Sequence, residues 1–133
     1  MNTLSNRQIV LAERPPGKLG VHHFKSVTIE VPPLAHDQVV IRAIYAQVPR
    51  AARAVMTNTT AFPLTQPGDG IFTAVVGEVV DGSGDGPARA TILMCYAGWE
   101  EYSIVPVSKV RPVAAEGPLF HHLGLLGHNG LAA

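Results

Sequence analysis

Residues 38–46 read Gln38-Val39-Val40-Ile41-Arg42-Ala43-Ile44-Tyr45-Ala46. The run is short, almost continuously apolar and rich in β-branched residues, which predicts a strand buried on both sides near the centre of a sheet. Pro32-Pro33 precede it and Pro49 follows it. Proline cannot donate to a ladder, so the run is bounded at both ends.

Working outward, Arg7 to Ala12 (RQIVLA) predicts a first strand, closed by Arg14-Pro15-Pro16-Gly17. Phe24 to Val31 alternates between apolar and polar residues with one slip at Ser26-Val27, where a bulge or a register change is expected. Arg50 to Met56 (RAARAVM) has good helix formers over about two turns. Thr57 to Gly70 is a turn-rich loop and a candidate lid or rim. Thr73 to Asp81 predicts a strand with a bulge or corner at Gly77, and Gly82 to Pro87 a flexible turn. Thr91 to Tyr96 and Glu100 to Val107 predict two strands around Ala97-Gly98-Trp99. Pro118 to Gly127 predicts a partly amphipathic helix that starts at proline. Many short strands punctuated by 13 glycines and 11 prolines point to a mainly β barrel or sandwich.

The chain has 133 residues, which predicts one domain over residues 1–133 with a single core. Apolar residues make up 47% and charged residues 15%, which excludes a disordered, solvating composition. Ten basic and ten acidic side chains cancel and are scattered, so neither nucleic acid nor an anionic membrane is an expected partner. Met1 to Arg7 lack an apolar run, and no stretch is long enough to span a bilayer. A cytoplasmic location is the expectation. The lone Cys95 excludes an internal disulfide, and its apolar strand (TILMCY) predicts a buried, inert thiol.

Several segments together resemble the zinc-independent branch of the medium-chain dehydrogenase/reductases, in particular the prostaglandin, leukotriene and curcumin type double-bond reductases. The residues that carry the resemblance are Asn6 to Gly17, His23-Phe24, Gln38 to Arg42, Tyr45, Gly77-Glu78-Val79-Val80, Gly98-Trp99-Glu100-Glu101-Tyr102 and Leu123 to Leu131. The resemblance implies a GroES-like, partly open β-barrel with short helices and a C-terminal helical segment. In the family this domain forms one wall of the active cleft, while a second, nucleotide-binding domain supplies the NADPH site and an important tyrosine. The resemblance would place that second domain after residue 133. No Gly-x-Gly-x-x-Gly turn occurs in the sequence, so no cofactor is expected to bind here.

The departures from the family pattern are informative. The family's Asp-Pro-Tyr-Met-Arg segment, which faces nicotinamide and substrate, corresponds to Pro49-Arg50-Ala51-Ala52-Arg53 and keeps only Arg53. The Gly-Asp before the next strand becomes Ala90-Thr91, and the Met-Pro-Gly near the domain junction becomes His128-Asn129-Gly130.

Candidate catalytic residues follow from these positions. Tyr45 can donate its phenol hydroxyl to a carbonyl or an enolate. His128 can move a proton near neutrality or can be a solvated histidine of a frayed end. Arg50 and Arg53, one turn apart, can clamp an anion or form a solvated helix face. Met56, Phe62, Tyr96 and Trp99 are candidate substrate-lining residues, with core packing as the competing role for Trp99. Of Glu100 and Glu101, adjacent on a strand, one should face inward. An inward carboxyl is a candidate acid/base group, and barrel structure is the alternative. No metal is expected, because His22, His23, His36, His121, His122 and His128 show no metal-ligand spacing. No nucleophile elbow occurs, so hydrolase chemistry has no support.

Three functions remain open. The first is a cofactor-free enzyme that cyclises, isomerises or adds to an unsaturated carbonyl-bearing small molecule, as in polyketide-type secondary metabolism. The second is a fragment or split subunit of an NADPH-dependent enone reductase. The third is a non-catalytic module that dimerises through an exposed cleft wall.

Overall fold

The computed structural model describes residues 3–57 and 64–124. Strands β1 (Ser5–Leu11) and β2 (Phe24–Glu30) form an antiparallel pair. Strands β3 (Gln38–Ala46), β4 (Phe72–Gly82), β5 (Ile92–Gly98), β6 (Tyr102–Pro106) and β7 (Arg111–Pro112) form a second sheet in the order β6-β3-β4-β5-β7. Helix α1 (Arg50–Thr57) connects β3 towards β4. The domain is mainly β, and the barrel is not closed. The two sheets meet through the isolated bridges Gln8↔Glu100 and Val10↔Gly70.

The run 38–46 is the strand its composition predicts, paired on one edge with β4 and on the other with β6. Its apolar residues supply Val39 and Ile41 to a core shared with Val75, Val79, Leu93, Cys95, Ala97 and Val105. A second cluster, Leu11, Ala52, Met56 and Ile71, fixes α1 against the end of β1. Burying such side chains contributes roughly 1.5–3 kcal/mol each.

The bulges differ from expectation. Between β1 and β2 the register runs without a break from Ser5↔Glu30 to Leu11↔Phe24, so there is none at Ser26-Val27. The slip in alternation is absorbed because β2 is largely solvent-facing and needs no strict inside and outside. The expected irregularity at Gly77 is present, but the extra residue is on the partner strand. Ala43 opposes Gly77 and Tyr45 opposes Val76, which leaves Ile44 over. A second shift lies between Val40 and Ile41. Gly77 is needed there for close approach, since a Cβ would sit 2.7 Å from the Arg42 carbonyl oxygen and collide with the Ile41 side chain.

Strand β5 runs on through Gly98, and the turn falls at Trp99–Glu101 rather than at Ala97-Gly98-Trp99. The segment from Pro118 begins a 3-10 turn, Leu119–His122, where the sequence predicts an α-helix. A glycine follows within two residues of that turn, at Gly124, and residues 125–133 lie outside the described part.

Candidate functional site

The bulge at Ile44 decides what the end of β3 presents. A strand alternates its side chains, but one extra residue lets neighbours share an exposure class. Both Ile44 (38%) and Tyr45 (44%) are therefore turned towards solvent. They line a shallow cleft of about 570 Å³ together with Arg7, Ile9, Ser26, Ala43, Ala46, Trp99, Glu100 and Glu101. The lining mixes apolar side chains with polar and charged ones.

Trp99 is held from behind. Its Nε1 donates to Thr73 Oγ1 at 3.0 Å and to the Gln47 carbonyl at 3.3 Å, while its ring packs against Phe24 at 6.1 Å. The indole thus has a fixed orientation at the cleft wall, and it packs against the second core cluster as well. Tyr45 meets Phe120 edge to face, with ring centroids 5.9 Å apart. Phe120 lies on the 3-10 turn, which is pinned by Gln47 Nε2 donating to the Leu123 carbonyl at 2.9 Å.

The adjacent glutamates separate as expected, although they lie on the turn between β5 and β6 and not on a strand. Glu101 is outward and pairs with Arg7 at 2.9 Å. Glu100 is inward. Its Oε2 accepts from Asn6 Nδ2 at 2.9 Å and Gln8 Nε2 at 2.5 Å, and its Oε1 from Ser103 Oγ at 2.6 Å. Asn6 and Ser103 are themselves buried. With its oxygens occupied in this way, Glu100 stitches β1 to the β5–β6 turn and is poorly placed to accept a substrate proton. Glu78 pairs with Arg42 at 3.0 Å on the neighbouring strand.

The other candidates are dispersed. Arg50 and Arg53 are exposed on α1. Met56 is 2% exposed and belongs to the core with Leu11, Ala52 and Ile71, not to the cleft that Tyr45 borders. Tyr96 is exposed on β5 and lines a different cavity of about 430 Å³ between β5 and β6, with Phe72, Met94, Ile104 and Lys109. Phe62 and His128 lie outside the described residues. Cys95 is buried beside that second cavity, and burial pushes its thiol up to about 11.

Two features escaped the sequence reading. Arg14 donates from Nη1 to the Met56 carbonyl at 3.0 Å and from Nη2 to the Thr65 carbonyl at 2.8 Å, capping the C-terminal end of α1. Glu13, His22 and His23 converge, although no short motif spaces them.

The pattern of the family described as the N-terminal domain of oxidoreductase matches residues 7–113. The chain belongs to that family. Among curated proteins it is 32% identical over 134 aligned positions to YfmJ of Bacillus subtilis, assigned as an NADP-dependent oxidoreductase, covering 98% of this chain and 39% of YfmJ. It is 30% identical to prostaglandin reductase 1 of Bos taurus, covering 83% of this chain and 33% of that protein. The domain thus spans between a third and two fifths of the length of these relatives. The crystal structure of CurA from Vibrio vulnificus superposes with a TM-score of 0.81 at 21% identity, over 95% of this chain and 38% of CurA. That likeness establishes the fold.

A nicotinamide dinucleotide needs backbone N–H groups at a strand–turn–helix cradle for its pyrophosphate. Among the described residues every strand pairing is antiparallel, and no glycine-rich turn leads from a strand into α1. The described residues of this oxidoreductase N-terminal domain do not fit that group.

Proposed function

We propose that this domain is the substrate-side wall of an NADPH-dependent reductase acting on carbon–carbon double bonds conjugated to a carbonyl, with Tyr45 receiving the carbonyl end. The observation that carries this reading is the bulge that turns Tyr45 outward at a shallow cleft whose lining includes Ile9, Ala43 and Trp99. Membership of the oxidoreductase N-terminal family and the names of YfmJ and prostaglandin reductase 1 support it. An enone presents a flat apolar body and one strong acceptor. The cleft offers apolar surface for the first and a phenol O–H donor for the second. Exposed Arg50 and Arg53 stand on the helix that follows and suit a carboxylate at the far end of a substrate. The nucleotide-binding half would be supplied outside the described residues.

Trp99 is the single tryptophan and lines the cleft, so its fluorescence reports occupancy directly. Titration with an α,β-unsaturated ketone is expected to quench Trp99 saturably, and Tyr45→Ala to weaken that binding. An unchanged emission up to the solubility limit of the ketone would sink the reading.

A second reading is favoured by one observation, the replacement of the nicotinamide-facing segment by Pro49-Arg50-Ala51-Ala52-Arg53. In it the same cleft folds an unsaturated carbonyl compound for cyclisation, isomerisation or conjugate addition without a redox change. Chromatography with mass detection separates the two. An isomeric product from the ketone and protein alone supports the second reading, and unreacted ketone counts against it.

A further inference from the structure

We propose that Glu13, His22 and His23 form a binding site for a borderline divalent cation of the zinc class, which ties the two ends of the β1–β2 connection together. One carboxylate oxygen of Glu13 and one nitrogen of each imidazole lie within 4.8 Å of one another. His22 Nε2 is 4.0 Å from Glu13 Oε1. The two imidazole rings are in contact, with centroids 4.0 Å apart and an interplanar angle of 41°. Shifts of about an ångström at two exposed side chains would bring these atoms to the separation of ligands around one metal, which binds nitrogen and oxygen at about 2.0–2.2 Å.

The fold explains the convergence. Strand β1 ends at Leu11 and the turn Val21–His23 leads directly into β2. Because the strands pair in register and Ala12 N–H donates to the His23 carbonyl at 2.7 Å, Glu13 is returned to the side of His22 and His23. Gly20 leaves the room this needs, as a Cβ there would sit 2.9 Å from the His22 ring.

His23 is already oriented. It is 3% exposed, and its Nδ1 lies 2.8 Å from the Gly20 N–H and 3.2 Å from the Gly20 carbonyl oxygen. The first contact suits the tautomer protonated on Nε2. The second suits the tautomer with the proton on Nδ1, which frees the Nε2 lone pair for a metal. Binding a metal at Nε2 would move the ring proton to Nδ1 and make the 3.2 Å contact its donor bond to the Gly20 carbonyl, the support a ligating histidine commonly has. Two neutral imidazoles and a carboxylate select zinc-like cations over magnesium or calcium, which take oxygen donors. Three protein ligands leave a fourth position open to water. None of the three residues lines the Tyr45 cleft, so the site does not depend on the reductase reading.

The test is calorimetric titration of the whole chain with zinc chloride, with thermal unfolding read in parallel. One saturable site in the micromolar range is expected, together with a zinc-dependent rise in Tm. Glu13→Gln and His22→Ala each change an exposed side chain, leave the fold intact by circular dichroism, and weaken binding on the order of tenfold or more. His121→Ala, on the 3-10 turn near the C-terminal end, leaves binding unchanged. No saturable heat, a signal unaffected by Glu13→Gln and His22→Ala, equal binding of magnesium, or loss of binding in His121→Ala would each overturn the proposal.

Discussion

Arg14 caps the end of α1 by donating to the Met56 carbonyl at 3.0 Å, and a second nitrogen of the same guanidinium reaches the Thr65 carbonyl at 2.8 Å. One side chain from the β1–β2 connection therefore fixes both the helix that carries Arg50 and Arg53 and the return of the chain towards β4. Its charge faces the negative end of the helix dipole, and its fork satisfies carbonyls that the helix cannot. Arg14→Ala is expected to cost about 1.5–3 kcal/mol in urea unfolding, the range for hydrogen bonds to a charged group. Arg14→Lys is expected to restore only part of that, because an ammonium is not a planar fork. Equal stability of Arg14→Ala and the parent chain would refute the cap.

Glu100 joins the two sheets, and its substitutions should split according to what they leave behind. Glu100→Gln keeps an oxygen for Asn6 and Gln8, while its NH₂ can donate to a rotated Ser103 hydroxyl. The expected loss is about 1 kcal/mol, from the missing charge alone. Glu100→Ala leaves the buried Ser103 hydroxyl without its acceptor and is expected to cost about 2–4 kcal/mol. Chemical unfolding of both variants checks the order, and an alanine variant as stable as the glutamine one would contradict it.

Cys95 gives a pH dependence with a definite sign. Burial raises its thiol from 9.0 to about 11, so the folded chain holds that proton more tightly than the unfolded chain does. The contribution to stability is complete below pH 9 and declines as the pH rises from 9 through 11, where the unfolded state binds fewer protons. Cys95→Ala should flatten the alkaline limb of the stability curve. At pH 8 the native thiol should react with a disulfide reagent roughly a hundredfold more slowly than in urea, from the thiolate fraction alone. Rapid native labelling would show that the thiol is not shielded.

Much of this was legible in the sequence because it rests on local pattern. The apolar run 38–46, the prolines that bound it and the helix formers from Arg50 each act over a few residues, and each yields the expected element. The split of Glu100 and Glu101 also appears, but on the turn before β6 and not on the strand expected there. The rest depends on register. Which strand of the β3–β4 pair carries the extra residue at Gly77 is a property of two distant segments, and it alone turns both Ile44 and Tyr45 outward. Met56 looked like a cleft residue from its neighbourhood in sequence. Helical phase and the close return of Leu11 instead place it in the core. Glu13, His22 and His23 are brought together only by the hairpin pairing of β1 with β2, which no metal-binding motif encodes. Pairing the ends of two predicted adjacent strands would have been the signal.

Tyr45 and Phe120 make the last prediction. The two rings meet edge to face at 5.9 Å, and both remain about half exposed, so the 3-10 turn flanks the phenol without covering it. If the hydroxyl is what receives a substrate carbonyl, Tyr45→Phe should weaken binding of an α,β-unsaturated ketone by the worth of one hydrogen bond, about 0.5–1.5 kcal/mol, while the ring pair and the unfolding midpoint stay unchanged. Phe120→Ala removes the partner ring and leaves the hydroxyl. It should loosen Tyr45, cost about 0.5–1.5 kcal/mol of aromatic pairing, and reduce affinity less than Tyr45→Phe does. Trp99 fluorescence reads both variants in the same cleft. A Tyr45→Phe variant that binds the ketone as tightly as the parent, beside a Phe120→Ala variant that does not, would make the cleft a purely apolar surface and remove the phenol from the recognition of the carbonyl.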